Sequence, residues 1–471
     1  MQMKKTFLKN ASYVFLANTI CILVNVAVNF LVPVLFSQES YSYYQLENLY
    51  CGYIWILTLG WHEGIYIYYG GKSEDIIDKK EISTQCWMFF LYLIFVSTIS
   101  IGIGGLYFKD IAKKYVFGMS MASVAIEAVR YVYLYYLICV DEMKRYTKYM
   151  VGDRFVYIAF VFLLLVFNLT DYRFLIGADI LSKAFLLGCI LCINRSLFFR
   201  KIAIIRESLN HAKRMIKSGI NVTFASFVSR FINGTVRLAI EASWGILVFG
   251  KISLTLSVSN MFTQFIQAVS VVLFPALRRT TEENRRTIYV IISDLLDVFM
   301  FCLFVLYLPG VKILNFILPQ YEDGLRYMAI LLPVCLFDAR NIILNNTYLK
   351  ALHQERGILI SNLVAVFFSV SFTGVTVYVL HDLNMAVLSM VFLVAIRCIC
   401  SEWILKKKLC QESMRNIVEE GVMTFVFIMA NWYVSGIGGT LIYVSALILY
   451  FAVNRRRVAD AVRYVMRKED V

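Results

Sequence analysis

The stretch FVSRFINGTVRLAIEA, Phe227 to Ala242, places Arg230, Arg237 and Glu241 in a run that otherwise reads as a helix crossing a lipid bilayer. At about 100° per residue these positions fall within about 40° of one another and form one polar stripe. An arginine at the centre of a membrane helix costs roughly 2.5–3.5 kcal/mol on insertion scales, so the stripe needs a compensating partner. Glu241 neutralises one arginine, most naturally Arg237 four residues earlier. Arg230 lies about 10 Å from Arg237 along the axis and has no partner on its own helix. Two readings stay open. Arg230 pairs across the bundle with Asp294, Asp297 or Glu127, or it faces a watery cavity and engages an anionic head group. Guanidinium suits the second task, because it stays charged and its planar fork grips phosphate oxygens at two points.

Other intramembrane charges follow the same two readings. Arg130 lies three residues after Glu127, beside YVYLYY, where it either pairs locally or meets sugars together with the tyrosines. Lys183 follows Asp179 by four residues, the spacing of a structural pair. Arg154 and Arg397 stand near helix ends and read as snorkelling anchors. Asp294 and Asp297, in VIISDLLDVFM, are candidates for taking up H⁺ or Na⁺ and coupling the protein to an ion gradient; plain solvation of Asp294 is the competing reading. Asp338 and Arg340, followed by NIILNN, read as a polar cavity lining that includes Arg340 as a ligand contact. Pro33 and Pro333 are candidate bending points.

The elements that position these groups are membrane helices. The chain of 471 residues is 60% hydrophobic and only 17% charged, against about 25% in soluble domains, and its mean hydropathy is +0.69. Apolar runs of about 20 residues recur throughout, so the expected fold is an all-α polytopic membrane protein. Fourteen spans are expected, near 11–36, 46–69, 83–107, 115–139, 150–168, 172–194, 218–244, 252–277, 286–309, 325–349, 357–380, 384–405, 418–435 and 437–453. With the N-terminus inside, and with Arg173, Arg286 and Arg326 at span ends counted with the adjoining loops, 32 of the 46 Lys and Arg fall in inner segments, 7 in outer loops and 7 within helices. The positive-inside rule then places both termini in the cytoplasm, against only Lys109, Lys113 and Lys114. The net charge of +14 is therefore mostly a topology signal and does not point to nucleic acid. The first segment reads as a retained membrane helix, being too long for a signal-peptide core. Cys189 and Cys192 form a CxxC inside an apolar helix without flanking His, and no histidine spacing suits a metal, so no cofactor is expected.

The largest inner connection, RSLFFRKIAIIRESLNHAKRMIKSG, reads as a basic amphipathic helix lying on the inner membrane surface and joining two halves; the basic tail after Asn454 looks similar. This divides the chain into 1–212, with spans one to six; 213–410, with spans seven to twelve; and 411–471, with the last pair. LKNASYVFLANTI and IKSGINVTFASFV open the two six-helix halves in like manner, as a parallel repeat requires.

The segment PGVKILNFILPQYEDGLRYMAILLP ends a helix on proline, adds a short amphipathic piece and turns through PQYEDG. Together with GWHEGIYIYYGGK it resembles the polysaccharide flippases of the multidrug/oligosaccharidyl-lipid/polysaccharide exporter superfamily, over the helix layout from Phe7 to Leu409. The resemblance implies two six-helix lobes in a V around a central cavity. It implies alternating access that carries an undecaprenyl-diphosphate-type lipid-linked oligosaccharide from the inner to the outer leaflet of a bacterial cytoplasmic membrane. The stripe would then meet the carrier diphosphate. Membrane lipids, and a polysaccharide polymerase and glycosyltransferases, are the partners it implies. The alternatives are an exporter of small cationic molecules from the same superfamily, a membrane polymerase or glycosyltransferase, and a scaffold. The first would favour carboxylates or aromatic cages over arginine. The second commonly needs a large outer loop with paired carboxylates, and no such loop is seen. The third gains little from buried arginine.

Overall fold

The computed structural model describes residues 2–70, 77–200, 203–279, 281–409, 415–434 and 436–467, and among these every regular element is helical. The chain divides into two compact units, Met1–Phe231 and Ile232–Val471.

The first unit contains α1 (Gln2–Leu35), α2 (Gln38–Ile54), α3 (Trp61–Tyr69), α4 (Lys79–Tyr107), α5 (Ile111–Cys139), α6 (Met143–Val166), α7 (Tyr172–Ile193), the short α8 (Arg195–Phe198) and most of α9 (Ile205–Trp244). Local sequence starts these helices. Ser37, Asp78, Asp110 and Asp171 stand just before α2, α4, α5 and α7, and each side chain accepts a hydrogen bond from a first-turn backbone N–H. That satisfies donors the helix itself leaves open. The centre of the unit is α5, which buries Val116, Ser120, Val124, Ala128 and Val132 at four-residue spacing, one helical face.

The second unit takes the end of α9, then α10 (Ile246–Arg279), α11 (Glu282–Val305), α12 (Tyr307–Ile317), α13 (Glu322–Leu325), α14 (Met328–Leu331) and α15 (Val334–Arg340). A π-helical stretch, Asn341–Asn346, leads to α16 (Thr347–Ala351), followed by α17 (Glu355–Thr373), α18 (Leu383–Leu409), α19 (Arg415–Met429) and α20 (Gly436–Arg467). The segment from Met328 to Ala351 is the most enclosed span. Its Leu331 and Val334 pack with Val387, Met390 and Val394 of α18 in the unit's apolar core.

Fourteen spans were expected, and among the described residues eleven helices are long and apolar enough to cross a membrane. The other three expected segments fall on elements with identifiable departures. The described apolar part of α1 is the shorter Thr19–Leu35. The segment 46–69 is not one helix: a 3₁₀ turn follows α2, and Leu59 and Gly60 take successive left-handed conformations (φ 51° and 67°) before α3 begins. The third, α9, carries the charged stripe itself.

The connector also differs from expectation. After α8 there is no separate surface helix that ends before the seventh span; α9 runs without a break through 40 residues, about 60 Å, or twice a typical hydrocarbon thickness. Gly219 is tolerated in mid-helix because α3 crosses there. A Cβ on Gly219 would overlap the carbonyl oxygen of Gly60, and one on Gly64 would overlap the carbonyl oxygen of Met215. Gly219→Val should therefore force α3 and α9 apart and lower the midpoint of thermal unfolding of the purified protein. An unchanged midpoint would show that the crossing yields without cost. Pro333 lies just before α15, where it closes a break after α14 instead of bending a continuous helix. The expected short amphipathic piece is present: α11 ends at Val305, α12 follows with Pro309 in its first turn, and Pro319–Tyr321 form a 3₁₀ turn.

Candidate functional site

In the first unit, Arg230 is exposed. Its Nη1 stands 3.5 Å from the Gly52 carbonyl oxygen, and its side-chain carbons lie alongside Gly52. Among the described residues no carboxylate comes within ion-pair distance of it; Glu63 of α3 lies within electrostatic reach. The carboxylates considered as its partners are engaged elsewhere. Glu127 bonds Arg130 and Lys183, each at 3.3 Å. Asp297 bonds Arg340 at 2.7 Å, and Asp294 bonds Arg457, with Nε at 2.8 Å from Oδ2. Within the first unit, Glu127 is therefore not the partner of Arg230.

Arg130 and Lys183 belong to one buried network in which both local pairs form. Arg130 reaches Asp153 at 3.0 Å as well as Glu127. Lys183 donates to Asp179 at 2.6 Å and to the Ser123 hydroxyl at 2.8 Å. Arg154, read as an anchor, lies 4.0 Å from Asp153 and adds its charge to the same network. Glu47 is buried beside it and accepts from the Cys51 thiol at 2.9 Å.

In the second unit, Arg237 donates through Nε and Nη2 to the Ser253 hydroxyl at 3.2 and 2.8 Å. Its guanidinium carbon sits 5.1 Å from the centre of the Phe249 ring. Glu241 is buried one turn away. The two arginines of the stripe are therefore held differently, although one uninterrupted helix carries both.

Arg340 was expected as a ligand contact. It is instead 0% exposed and hydrogen-bonds through all three guanidinium nitrogens. Nε meets Glu420; Nη1 meets both Glu402 oxygens at 3.1 and 3.2 Å; Nη2 meets Asp297 at 2.7 Å and Ser293 at 3.0 Å. Lys406 adds a second cation, 2.7 Å from Glu402, and Tyr289 donates to Glu402 at 3.0 Å. Asn416 donates to Asp294 and Asp297 at 3.2 and 2.9 Å. Asp338, read with Arg340 as a cavity lining, pairs with Arg397, which is a bonded partner and not a snorkelling anchor.

Sequence reasoning missed Asp153, Glu402, Glu420 and Arg457. Counting basic residues within helices found the cations. Counting acids in the same apolar runs would have found three of these four, and Arg457 was hidden in the basic tail. No group of His, Cys, Asp and Glu among the described residues has metal-site geometry.

The helical fold is similar to that of solved transporters of the multidrug/oligosaccharidyl-lipid/polysaccharide (MOP) superfamily. An outward-facing multidrug resistance MATE family transporter of that superfamily aligns at a TM-score of 0.57 and 14% identity, over 85% of this chain and 96% of its own. The inward-facing conformation of such a transporter aligns at 0.58 and 13%, over 88% and 95%. The lipid II flippase MurJ, in an inward closed conformation, aligns at 0.57 and 11%, over 95% and 99%. No family model and no curated protein sequence matches the chain.

Proposed function

We propose that the protein translocates a polyprenyl-diphosphate-linked oligosaccharide from the inner to the outer leaflet of a bacterial cytoplasmic membrane, by alternating access and without a chemical step. The observation that carries this reading is Arg230, an exposed guanidinium on α9 with no ion pair among the described residues. An unneutralised arginine at that depth is costly unless it meets water or an anion, and its fork fits diphosphate oxygens. Arg237, one stripe further along α9, is the second head-group contact in this reading. The Arg130 and Arg340 networks hold the helices, with Glu127 at the partly open edge of the first.

The reading includes α1, the α2–α3 pair and α9 as membrane elements, giving fourteen, with both termini cytoplasmic. An H⁺ or Na⁺ gradient drives the cycle, with Asp294 and Asp297 as the coupling carboxylates, and a polymerase and glycosyltransferases share the cargo. A cysteine introduced at Asn210 in a cysteine-free background should resist labelling from outside intact cells, and one at Asn384 should label. The reverse pattern would invert the topology.

Small-molecule export is the second reading, favoured by the fold likeness to transporters described as multidrug resistance proteins. Removing the protein from its host separates the two. Flipping predicts that lipid-linked oligosaccharide accumulates and surface polysaccharide falls. Greater sensitivity to cationic drugs with unchanged surface polysaccharide would favour export.

A further inference from the structure

The face shared by α3 and α5 in the first unit carries an aromatic surface unlike the neighbouring lipid-type surface. Helix α4 exposes Leu91, Ile94, Phe95, Ile99 and Ile103, an apolar set suited to acyl chains. On the α3–α5 face, Tyr66 is 42% exposed, and Trp55, Tyr131 and Tyr135 are half-buried. Their rings form a connected layer. Tyr66 stacks on Tyr135 at 5.4 Å and 24°; Tyr135 stacks on His62 at 5.8 Å and 17°. Trp55 meets Tyr131 edge-on at 5.5 Å and 82°.

Two further observations point to a polar ligand. Glu127, Tyr131 and Tyr135 are spaced by four residues and so share one side of α5, with a carboxylate at one end of the tyrosines. The Glu127 side chain keeps 20% of its surface open while its oxygens bond Arg130 and Lys183. A carboxylate in that position is costly against lipid chains and inexpensive against water or hydroxyl groups. The second is His62, which is fully buried beneath the layer with no hydrogen-bond partner at either ring nitrogen. A polar ring enclosed without partners contributes little to stability, which favours a role in a binding surface.

We infer that this α3–α5 face is a saccharide platform, on which the ring faces of Tyr66, Tyr131 and Tyr135 stack against pyranose units and Glu127 accepts hydrogen bonds from sugar hydroxyls. Aromatic faces carry negative partial charge and pyranose C–H bonds are positively polarised, so the two surfaces attract without requiring one sugar identity. The stripe from Glu127 to Tyr135 runs about 12 Å along the helix, room for more than one ring. This inference rests on the flippase reading, because it assigns the glycan of that cargo a place separate from its diphosphate.

Two probes tell the two claims apart: a short-chain polyprenyl diphosphate bearing one N-acetylhexosamine, and the same polyprenyl diphosphate without sugar. Affinities for purified full-length protein are measured by calorimetry. Tyr135→Ala and Tyr66→Ala should each weaken the glycosylated probe about tenfold and leave the bare probe unchanged. Tyr135→Phe should bind both as the parent does, because it keeps the ring. Tyr66→Ala, at an exposed position, guards against a variant that merely fails to fold. Unchanged affinity for the glycosylated probe in both alanine variants would overturn the platform, as would equal weakening of both probes. If Arg230→Gln weakens both probes while the alanine variants weaken neither, the flippase reading stands and the platform falls. Failure of the parent protein to bind either probe would overturn both.

Discussion

Changing Arg230 and Arg237 together to glutamine should reduce translocation by about two orders of magnitude at normal levels of folded protein. Each arginine removed deletes a charge-assisted hydrogen bond worth roughly 1.5–3 kcal/mol, about ten- to a hundredfold in affinity at the upper end. Arg230→Gln alone should leave folding intact, because among the described residues its guanidinium makes one long hydrogen bond, to the Gly52 carbonyl at 3.5 Å, and no ion pair. Arg237→Gln removes two bonds to Ser253 and the contact with the Phe249 ring, so its expression must be measured beside its activity. Lysine at position 230 should restore activity only in part, since it keeps the charge and loses the fork. If the double glutamine variant supports full export of surface polysaccharide at normal expression, the stripe is not the cargo site.

Replacement of Arg340 by glutamine has the opposite signature: folded protein falls first. The substitution leaves Asp297, Glu402 and Glu420 buried around a neutral side chain. Lys406 still neutralises Glu402 at 2.7 Å, so the uncompensated charge falls on Asp297 and Glu420. Removing one partner of a buried ion pair typically costs about 3–5 kcal/mol, a large fraction of the stability of most folded proteins. The compensated triple variant Arg340→Gln, Asp297→Asn, Glu420→Gln should recover most of the lost yield, because the stranded carboxylates are gone. Membrane yield and fluorescence-detected gel filtration of the single and triple variants measure this directly. A normal yield for Arg340→Gln would show that water or another cation reaches the network.

The sequence made the helical class legible because burial in lipid forces long apolar runs, and those runs dominate the composition. It also made local charge pairs legible. Arg130 with Glu127 and Lys183 with Asp179 sit at three- and four-residue spacing on one helix, and both pairs form. The partners of Arg340 were not legible, since Glu402 and Glu420 come from helices 62 and 80 residues further on. Only packing of α15 against α18, and of α11 against both α15 and α19, brings them together. The break at Leu59 and Gly60 was missed because a left-handed leucine leaves no compositional mark in TLGWHEG. The continuity of α9 was missed for a related reason. A basic amphipathic run next to a membrane span has the same pattern whether it lies on the surface or extends the span.

The most direct test of the central claim is reconstitution of the purified protein into sealed vesicles containing a polyprenyl-diphosphate-linked oligosaccharide, with its exposure followed by a lectin that cannot cross the membrane. The account predicts that lectin-accessible glycan rises faster in vesicles holding the parent protein than in protein-free vesicles, and that Arg230→Gln with Arg237→Gln returns the rate to the protein-free value. A parent protein that leaves the rate at the protein-free value, while driving a small cation across the same membrane, would contradict it.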